Sequence, residues 1–247
     1  MPRFWVPGPL SPHDTVVLDP EQAHRLREVL RLRVGDAVVL FDGQGGEYPA
    51  VLRTLSRDRV SLETAARCEV MRESPLEITL AQGISRGDRM DYTLQKAVEL
   101  GVSRIVPLAS ARTQVHLDAA RAARRLQHWR GVVTHACEQS GRDRLPFVDE
   151  VTSLQEFMAE DQAALKLTLA PTAAESLVSL APGATTLSLV IGPEGGLAPE
   201  EIALLSGAGY RAVRLGPRIL RTETAALVAI ACLQVVAGDL GAGTQPD

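Results

Sequence analysis

The 247-residue chain has few cysteines, no long apolar run and no familiar phosphate-binding signature. Its three cysteines, Cys68, Cys137 and Cys232, are odd in number and widely spaced. They offer neither a disulfide framework nor zinc-ligand spacing, which fits a reducing, cytoplasmic setting. The five histidines, His13, His24, His116, His128 and His135, include no pair at i,i+4. They read as surface or packing residues, and no metal is expected. The most apolar stretch, residues 225–237, is interrupted by Gln234 and is too short to span a bilayer. Met1-Pro2-Arg3-Phe4-Trp5 has no basic stretch leading into an apolar run, which reads against a signal peptide. The dinucleotide fingerprint is missing, which leaves an NAD-type dehydrogenase a remote reading.

What is present is a globular composition, 45% apolar, in a chain long enough for one large domain or two. The net charge of −4 is unevenly spread. Residues 86–146 carry 11 Lys/Arg against 6 Asp/Glu, a local net of +5, whereas residues 147–213 carry 2 against 9, a net of −7. A basic region can follow a phosphate backbone even on an acidic protein, although ordinary solvated helix faces give the same count.

Residues 1–72 read as β-rich. Val38-Val39-Leu40-Phe41 and Val51-Leu52 flank Asp42-Gly43-Gln44-Gly45-Gly46, a hairpin signal. Residues 60–64 alternate like a half-buried strand, and a short helix is predicted near residues 21–30. Several short strands with glycine turns suggest a small barrel. Arg72-Glu73-Ser74-Pro75 is a candidate linker. From Leu76 onward strands and helices alternate. Strands are predicted at residues 78–81, 105–108, 165–169, 187–191 and 212–215, and helices at 88–100 and 118–139 and from near Pro199 and Glu223. That order implies a mostly parallel sheet covered on both faces. In the first of these helices Met90, Leu94, Ala97 and Val98 share a face, and Gly101 ends it.

Two segments near the C-terminus carry most of the functional information. One is Val190-Ile191-Gly192-Pro193-Glu194-Gly195-Gly196, running into Leu197-Ala198-Pro199-Glu200-Glu201. The other is Leu215-Gly216-Pro217-Arg218-Ile219-Leu220-Arg221-Thr222-Glu223-Thr224-Ala225-Ala226. In each, a strand ends in a tight turn and a helix begins at once, the arrangement that binds small ligands at strand ends. Gly195 and Gly196 permit positive φ and close approach of a ligand. Thr222 or Thr224 is expected to cap the last helix. Acidic residues in both first turns complement the positive helix ends and disfavour a phosphate there. A nucleotide-like ligand held without an essential phosphate contact therefore fits better than NAD or ATP. A third segment, Glu138-Gln139-Ser140-Gly141-Arg142, ends the arginine-bearing helix. Arg142 there suits a phosphate or a base, or simply satisfies the helix dipole.

Taken in order, these segments resemble the RsmE family. The same holds for Gln82-Gly83-Ile84-Ser85-Arg86-Gly87-Asp88-Arg89-Met90-Asp91, for Gln95-Lys96-Ala97-Val98-Glu99-Leu100-Gly101-Val102 and for residues 24–36. The likeness covers nearly the whole chain. It departs at Val98, where a threonine is usual, and at Ala198, where a serine or threonine would cap the helix at a gain of about 1 kcal/mol. The resemblance implies an S-adenosylmethionine-dependent methyltransferase acting on N3 of one uridine near the 3′ end of 16S rRNA in the 30S subunit. It implies a PUA-like β-barrel RNA-binding domain at 1–72 and an α/β SPOUT domain at 73–247. That domain would have a mostly parallel sheet and a C-terminal trefoil knot, and the protein would be a homodimer. By the same likeness, S-adenosylmethionine is expected at Leu169, Ala170 and Pro171, at Ile191, Gly192, Pro193, Gly195 and Gly196, and at Leu215, Gly216, Ile219, Leu220, Thr222 and Thr224. Arg221 and Glu223 are expected to assist chemistry, with Glu194 a second candidate base. Arg86, Arg124, Arg125, Arg130 and Arg142 are expected on the RNA side. The competing readings are a SPOUT enzyme acting on a ribose 2′-oxygen and a non-catalytic RNA-binding protein.

Overall fold

A computed structural model of the protein describes residues 1–113, 118–180 and 183–241. Its contacts divide the chain into two compact units. One comprises Met1–Glu73 with Cys137–Leu145, the other Ser74–Ala136 with Pro146–Asp247.

The first unit contains β1 (Arg3–Trp5), β2 (Thr15–Val17), α1 (Pro20–His24), β3 (Ala37–Phe41), β4 (Tyr48–Leu55) and β5 (Val60–Thr64). The strands form one sheet in the order β1-β3-β4-β5-β2, with β1 parallel to β3 and the other pairs antiparallel. The glycine turn at 42–46 closes the predicted hairpin, with Leu40 opposite Tyr48. Alternation points Val38, Leu40, Leu52 and Leu62 to one buried cluster, which Phe4 and Leu26 complete. The helix predicted for 21–30 is α-helical only as far as His24. Residues Arg25–Val29 form a π-helical turn, with Leu30 N–H donating to Arg25 O at 2.9 Å. The wider turn buries Leu26 fully and leaves Val29 and Leu30 exposed.

The second unit begins with β6 (Glu77–Gly83), α2 (Asp88–Glu99), β7 (Arg104–Ala109) and α3 (Ala119–Ser140, its last turn counted with the first unit). Then come β8 (Phe147–Val148), β9 (Thr152–Ser153), α4 (Leu154–Glu160), β10 (Leu165–Leu169) and β11 (Glu175–Ser176). The chain continues through β12 (Thr186–Ile191), α5 (Pro199–Gly207), β13 (Arg211–Arg214) and α6 (Thr222–Ala237). The sheet order is β11-β13-β10-β12-β6-β7-β8, with β9 also on β7, and every pair is parallel. Parallel strands covered on both faces need apolar residues at successive positions. Accordingly all of 187–191 in β12 is buried.

The helices follow their local chemistry. Met90, Leu94, Ala97 and Val98 form the fully buried face of α2. Gly101, at φ 85°, donates to Val98 O and stops the helix. Ala198 has no side-chain acceptor to cap α5, and Glu201 partly compensates by accepting from Ala198 N–H at 2.7 Å. The start of α6 differs from expectation. Its N-cap is Arg221, neither Thr222 nor Thr224 caps it, and the Thr222 hydroxyl is used elsewhere. Gln234, the polar interruption in the apolar run, is fully buried. It donates to Leu100 O at 3.0 Å and accepts from Ser74 Oγ at 2.6 Å. Among the described residues no helix is long and apolar enough to cross a membrane.

Leu80 lies in the middle of the sheet, fully buried and flanked by Leu189 and Ile105. Leu80→Ala should cost about 2–5 kcal/mol of unfolding free energy, the usual range for an aliphatic core truncation. A urea denaturation midpoint unchanged from wild type would contradict this.

Candidate active site

β10 lies between β12 and β13, so the carboxyl ends of three neighbouring strands open side by side. The chain passes from β10 to β12 on one side and then to β13 on the other, a reversal of direction of the kind that leaves a crevice at strand ends. The loops after the three strands enclose a cleft of about 460 Å³.

From the first loop Leu169, Ala170 and Pro171 line it. From the second come Ile191, Gly192, Pro193, Glu194, Gly195 and Gly196. From the third come Leu215, Gly216, Ile219, Leu220, Arg221, Thr222 and Glu223. Thr224, expected with them, is exposed and does not line the cleft. It is two residues beyond Thr222, about 200° round the helix axis. Arg89, Arg214 and Arg218 also line the cleft. Arg218 stands inside the segment that drew attention, whereas nothing in the local pattern of α2 or β13 marked Arg89 or Arg214.

Close backbone packing shapes the second loop. Gly196 N–H donates to Pro193 O at 2.8 Å, and the turn needs the positive φ of Gly196. Gly195, where positive φ is also permitted, does not adopt it. Its carbonyl instead accepts from Arg112 at 2.9 Å. A side chain at Gly192 would place Cβ 2.6 Å from Gly196 C and Leu197 N, so only glycine fits there. The first loop is tied to β13, because the Arg214 guanidinium donates to the carbonyls of Ala173 and Ala174. Thr222 donates to Gly192 O at 2.6 Å and joins the third loop to the second.

The charges at the cleft are unequally satisfied. Glu194 Oε1 accepts from Arg86 N–H at 2.9 Å and from the Arg89 guanidinium at 3.1 Å. Partial burial pushes the Glu194 carboxyl up. Hydrogen bonds from the Arg86 and Glu194 amides and from Arg89 outweigh that and leave it below the usual carboxylate range. Arg218 and Arg221 are exposed and pair with nothing among the described residues. Glu223 Oε2 is buried and accepts no hydrogen bond.

The arginines expected on the RNA side divide. Arg86 is exposed beside Glu194, and Arg124 is exposed on α3 with Arg125 half-buried. Arg130 is exposed but donates to Val148 O at 3.2 Å. Arg142 is corrected: the residue is only 5% exposed, and its guanidinium holds Glu73 through both carboxylate oxygens within the first unit. The last turn of α3 and the residues after it help build that unit. Glu138 accepts from Trp5 N–H and Arg25, and Asp143 accepts from Gly46 N–H. Nothing in a single sequence distinguishes such an internal clasp from a nucleic-acid contact. His13, His24, His128 and His135 are exposed, His128 against Asp91, and His116 lies outside the described residues.

A cleft at the strand ends of a parallel sheet, walled by glycine and proline loops, defines a nucleotide-type binding domain. Comparison with known proteins gives the class. A family model described as an RNA methyltransferase domain matches residues 72–234, and one described as an RNA methyltransferase PUA domain matches residues 18–64. A ribosomal RNA small subunit methyltransferase E from Mycobacterium bovis is 37% identical over 226 residues, covering 89% of this chain and 86% of its own. Its Bacillus subtilis counterpart is 33% identical over 86% of this chain and 87% of its own. Among solved structures, a ribosomal RNA small subunit methyltransferase E from Neisseria gonorrhoeae bound to S-adenosyl methionine has a TM-score of 0.90 at 43% identity. It covers 97% of this chain and 99% of its own. A methyltransferase from Legionella pneumophila with bound SAM gives 0.92 at 40% identity, over 96% and 98%. The chain belongs to the ribosomal RNA small subunit methyltransferase E family.

The depressed Glu194 carboxyl has a pH signature. A carboxylate whose folded value lies below its unfolded value stabilises the fold above the unfolded value, near 4.5, and loses that contribution as pH falls through the folded value. Wild type should therefore lose stability relative to Glu194→Gln as pH is lowered below about 4.5. Parallel stability–pH curves for the two proteins would refute the pairing.

Proposed function

We propose that the protein transfers a methyl group from S-adenosylmethionine to N3 of one uridine of small-subunit ribosomal RNA. The observation that carries this reading is the convergence of the three strand-end loops on one cleft. Its volume of about 460 Å³ suits a nucleoside-sized ligand. The residues present fit such a ligand. Leu169, Ile191, Leu215 and Leu220 offer apolar walls for a purine, and the loop backbones offer donors and acceptors for its edge. Nothing stands within 4 Å of where a Cβ would be at Gly196 or Gly216, so a flat group can approach the chain there.

When bound, S-adenosylmethionine supplies an electrophilic methyl group on a sulfonium. The loops of this chain would orient that group, since displacement needs the attacking atom in line at about 3–3.5 Å. Uracil N3 becomes nucleophilic as it loses its proton, and its proton normally faces a pairing partner. The target must therefore be unpaired or extruded. Arg221, exposed and without a side-chain partner among the described residues, suits the role of stabilising negative charge on the uracil carbonyl oxygens. Glu223, with a buried oxygen that accepts nothing, suits the role of proton acceptor at N3. Glu194 suits it less, because its hydrogen bonds stabilise the ionised form and weaken it as a base.

The PUA-matched unit and the arginines of α3 are the parts we assign to RNA, with residues 1–72 as the RNA-binding domain and 73–247 as the SPOUT domain. Membership of the family supports a trefoil knot in the second unit, and the passage from β12 across β10 to β13 is consistent with one. Exposed Val228, Val235 and Val236 on α6 support a homodimer, and the ribosomal substrate supports a cytoplasmic site of action.

Incubated with methyl-labelled S-adenosylmethionine and unmethylated 30S subunits, the protein should yield labelled 3-methyluridine. Label in a 2′-O-methyl nucleoside, or none, would overturn the reading. Arg221→Ala should lower the rate at least tenfold, within the range of lost oxyanion-type stabilisation. Joint replacement of Arg124 and Arg125 by alanine should weaken RNA binding and reduce the salt slope by roughly 1–2. An unchanged slope would place the RNA elsewhere.

A further inference from the structure

We propose that Gln82 is a positioning residue for the methyl donor, acting through Thr222 on the wall of the cleft. The proposal rests on reading the cleft as the S-adenosylmethionine site. Gln82 is fully buried in β6 and does not line the cleft. In the ladder it stands between Ile191 of β12 and Pro107 of β7. Its Nε2 donates to Thr222 Oγ1 at 3.0 Å and to Gly83 O at 3.1 Å. Thr222 Oγ1 in turn donates to Gly192 O at 2.6 Å. One buried side chain on a strand that contributes no loop to the cleft thus sets the first residue of α6 against the carbonyl that opens the second loop.

Backbone packing leaves little slack in this arrangement. A Cβ at Gly83, the next residue, would lie 2.5 Å from Pro193 N, so strand β6 presses directly on the loop that Thr222 holds. Thr222, Gly192 and Pro193 all line the cleft. Without the amide, Thr222 keeps its bond to Gly192 but loses the donor that fixes its hydroxyl, so that bond is no longer held in one geometry.

Stability alone does not account for an amide here. Gln82 Oε1 is buried and accepts no hydrogen bond, which is an unfavourable state for a polar atom in a core. An apolar side chain of similar volume would avoid that cost. A buried polar group retained against its own desolvation is expected where it fixes geometry.

The test is calorimetric titration of the full-length protein with S-adenosylhomocysteine, beside urea denaturation. Gln82→Met should bind about tenfold more weakly, the equivalent of one hydrogen bond worth about 1.4 kcal/mol. Its urea midpoint should match or exceed that of wild type. Thr222→Val should show a similar loss and Thr222→Ser should restore binding. The Gln82→Met/Thr222→Val double variant should lose no more than either single variant, since both interrupt one path. In turnover, Gln82→Met should raise the KM for the methyl donor and leave the KM for RNA unchanged. Affinity equal to wild type in Gln82→Met would overturn the proposal, as would additive losses in the double variant. Should Gln82→Met fail to fold, the valine and serine variants at Thr222 make the same test from the other end. Failure of the wild-type protein itself to bind S-adenosylhomocysteine would instead overturn the reading of the cleft.

Discussion

The parallel ladder that holds β10 between β12 and β13 is the constraint on which the site depends. Parallel pairing puts the carboxyl ends of neighbouring strands at one edge, and there alone the loops after Leu169, Ile191 and Arg214 can meet. Residues 187–191 of β12 are buried on both faces, so a one-residue slip would exchange the side chains packed on each, and the register is held by the fit on the two sides. The cleft is therefore a consequence of the same apolar strands that hold the domain together. Its loops need only be short, glycine-bearing and tied down. Arg214, Arg112 and Thr222 supply the ties, each by donating to a loop carbonyl.

Those ties explain how irregular backbone keeps one shape. The loop carbonyls at Ala173, Gly192 and Gly195 would otherwise seek water or other partners. Each instead accepts from a side chain on a different element, so the first loop is braced by β13 and the second by α6 and by the loop after β7. Gly192 shows why small residues are needed as well: backbone at 2.6 Å leaves no room for a side chain. Rigid walls with unfilled space between them are what a ligand needs to be oriented rather than merely held.

Much of the second unit was legible because strands and helices each carry a strong period. Residues 165–169 are predicted as a strand and form one, and the buried face of α2 follows from the spacing of Met90, Leu94, Ala97 and Val98. The loops at the strand ends were legible from glycine and proline beside apolar runs. What escaped reading depended on partners distant in sequence. The π-helical turn at Arg25–Val29 arises from packing Leu26 into the core of the first unit. Thr222 looks like a helix cap, yet its hydroxyl bonds to Gly192, 30 residues away. Arg142 reads as a contact to phosphate or base, or as a cation at a helix end, yet Glu73 holds it, 69 residues away. Local pattern reports what a residue is suited to, and only the fold decides which partner reaches it first.

The charged side chains of the first unit and those at the cleft are satisfied differently, although Arg3 Nε, Ser140 Oγ and Asp143 Oδ1 of the first unit are also buried without a hydrogen-bond partner among the described residues. In the first unit, Glu47 is shared by Arg3 and Arg72, and Glu138 by Arg25 and the Trp5 amide. Each of these buried carboxylates is paired, as a low-dielectric interior requires. At the cleft, Arg218 and Arg221 find no partner and Glu223 Oε2 no donor among the described residues. Arg218, Arg221 and Glu223 all line the cleft, so these charges face the space a ligand would enter. Glu194 shows the opposite choice on the same wall. Its bonds to Arg86 and Arg89 fix the junction of β6 and α2, and a carboxylate so occupied serves structure better than proton transfer.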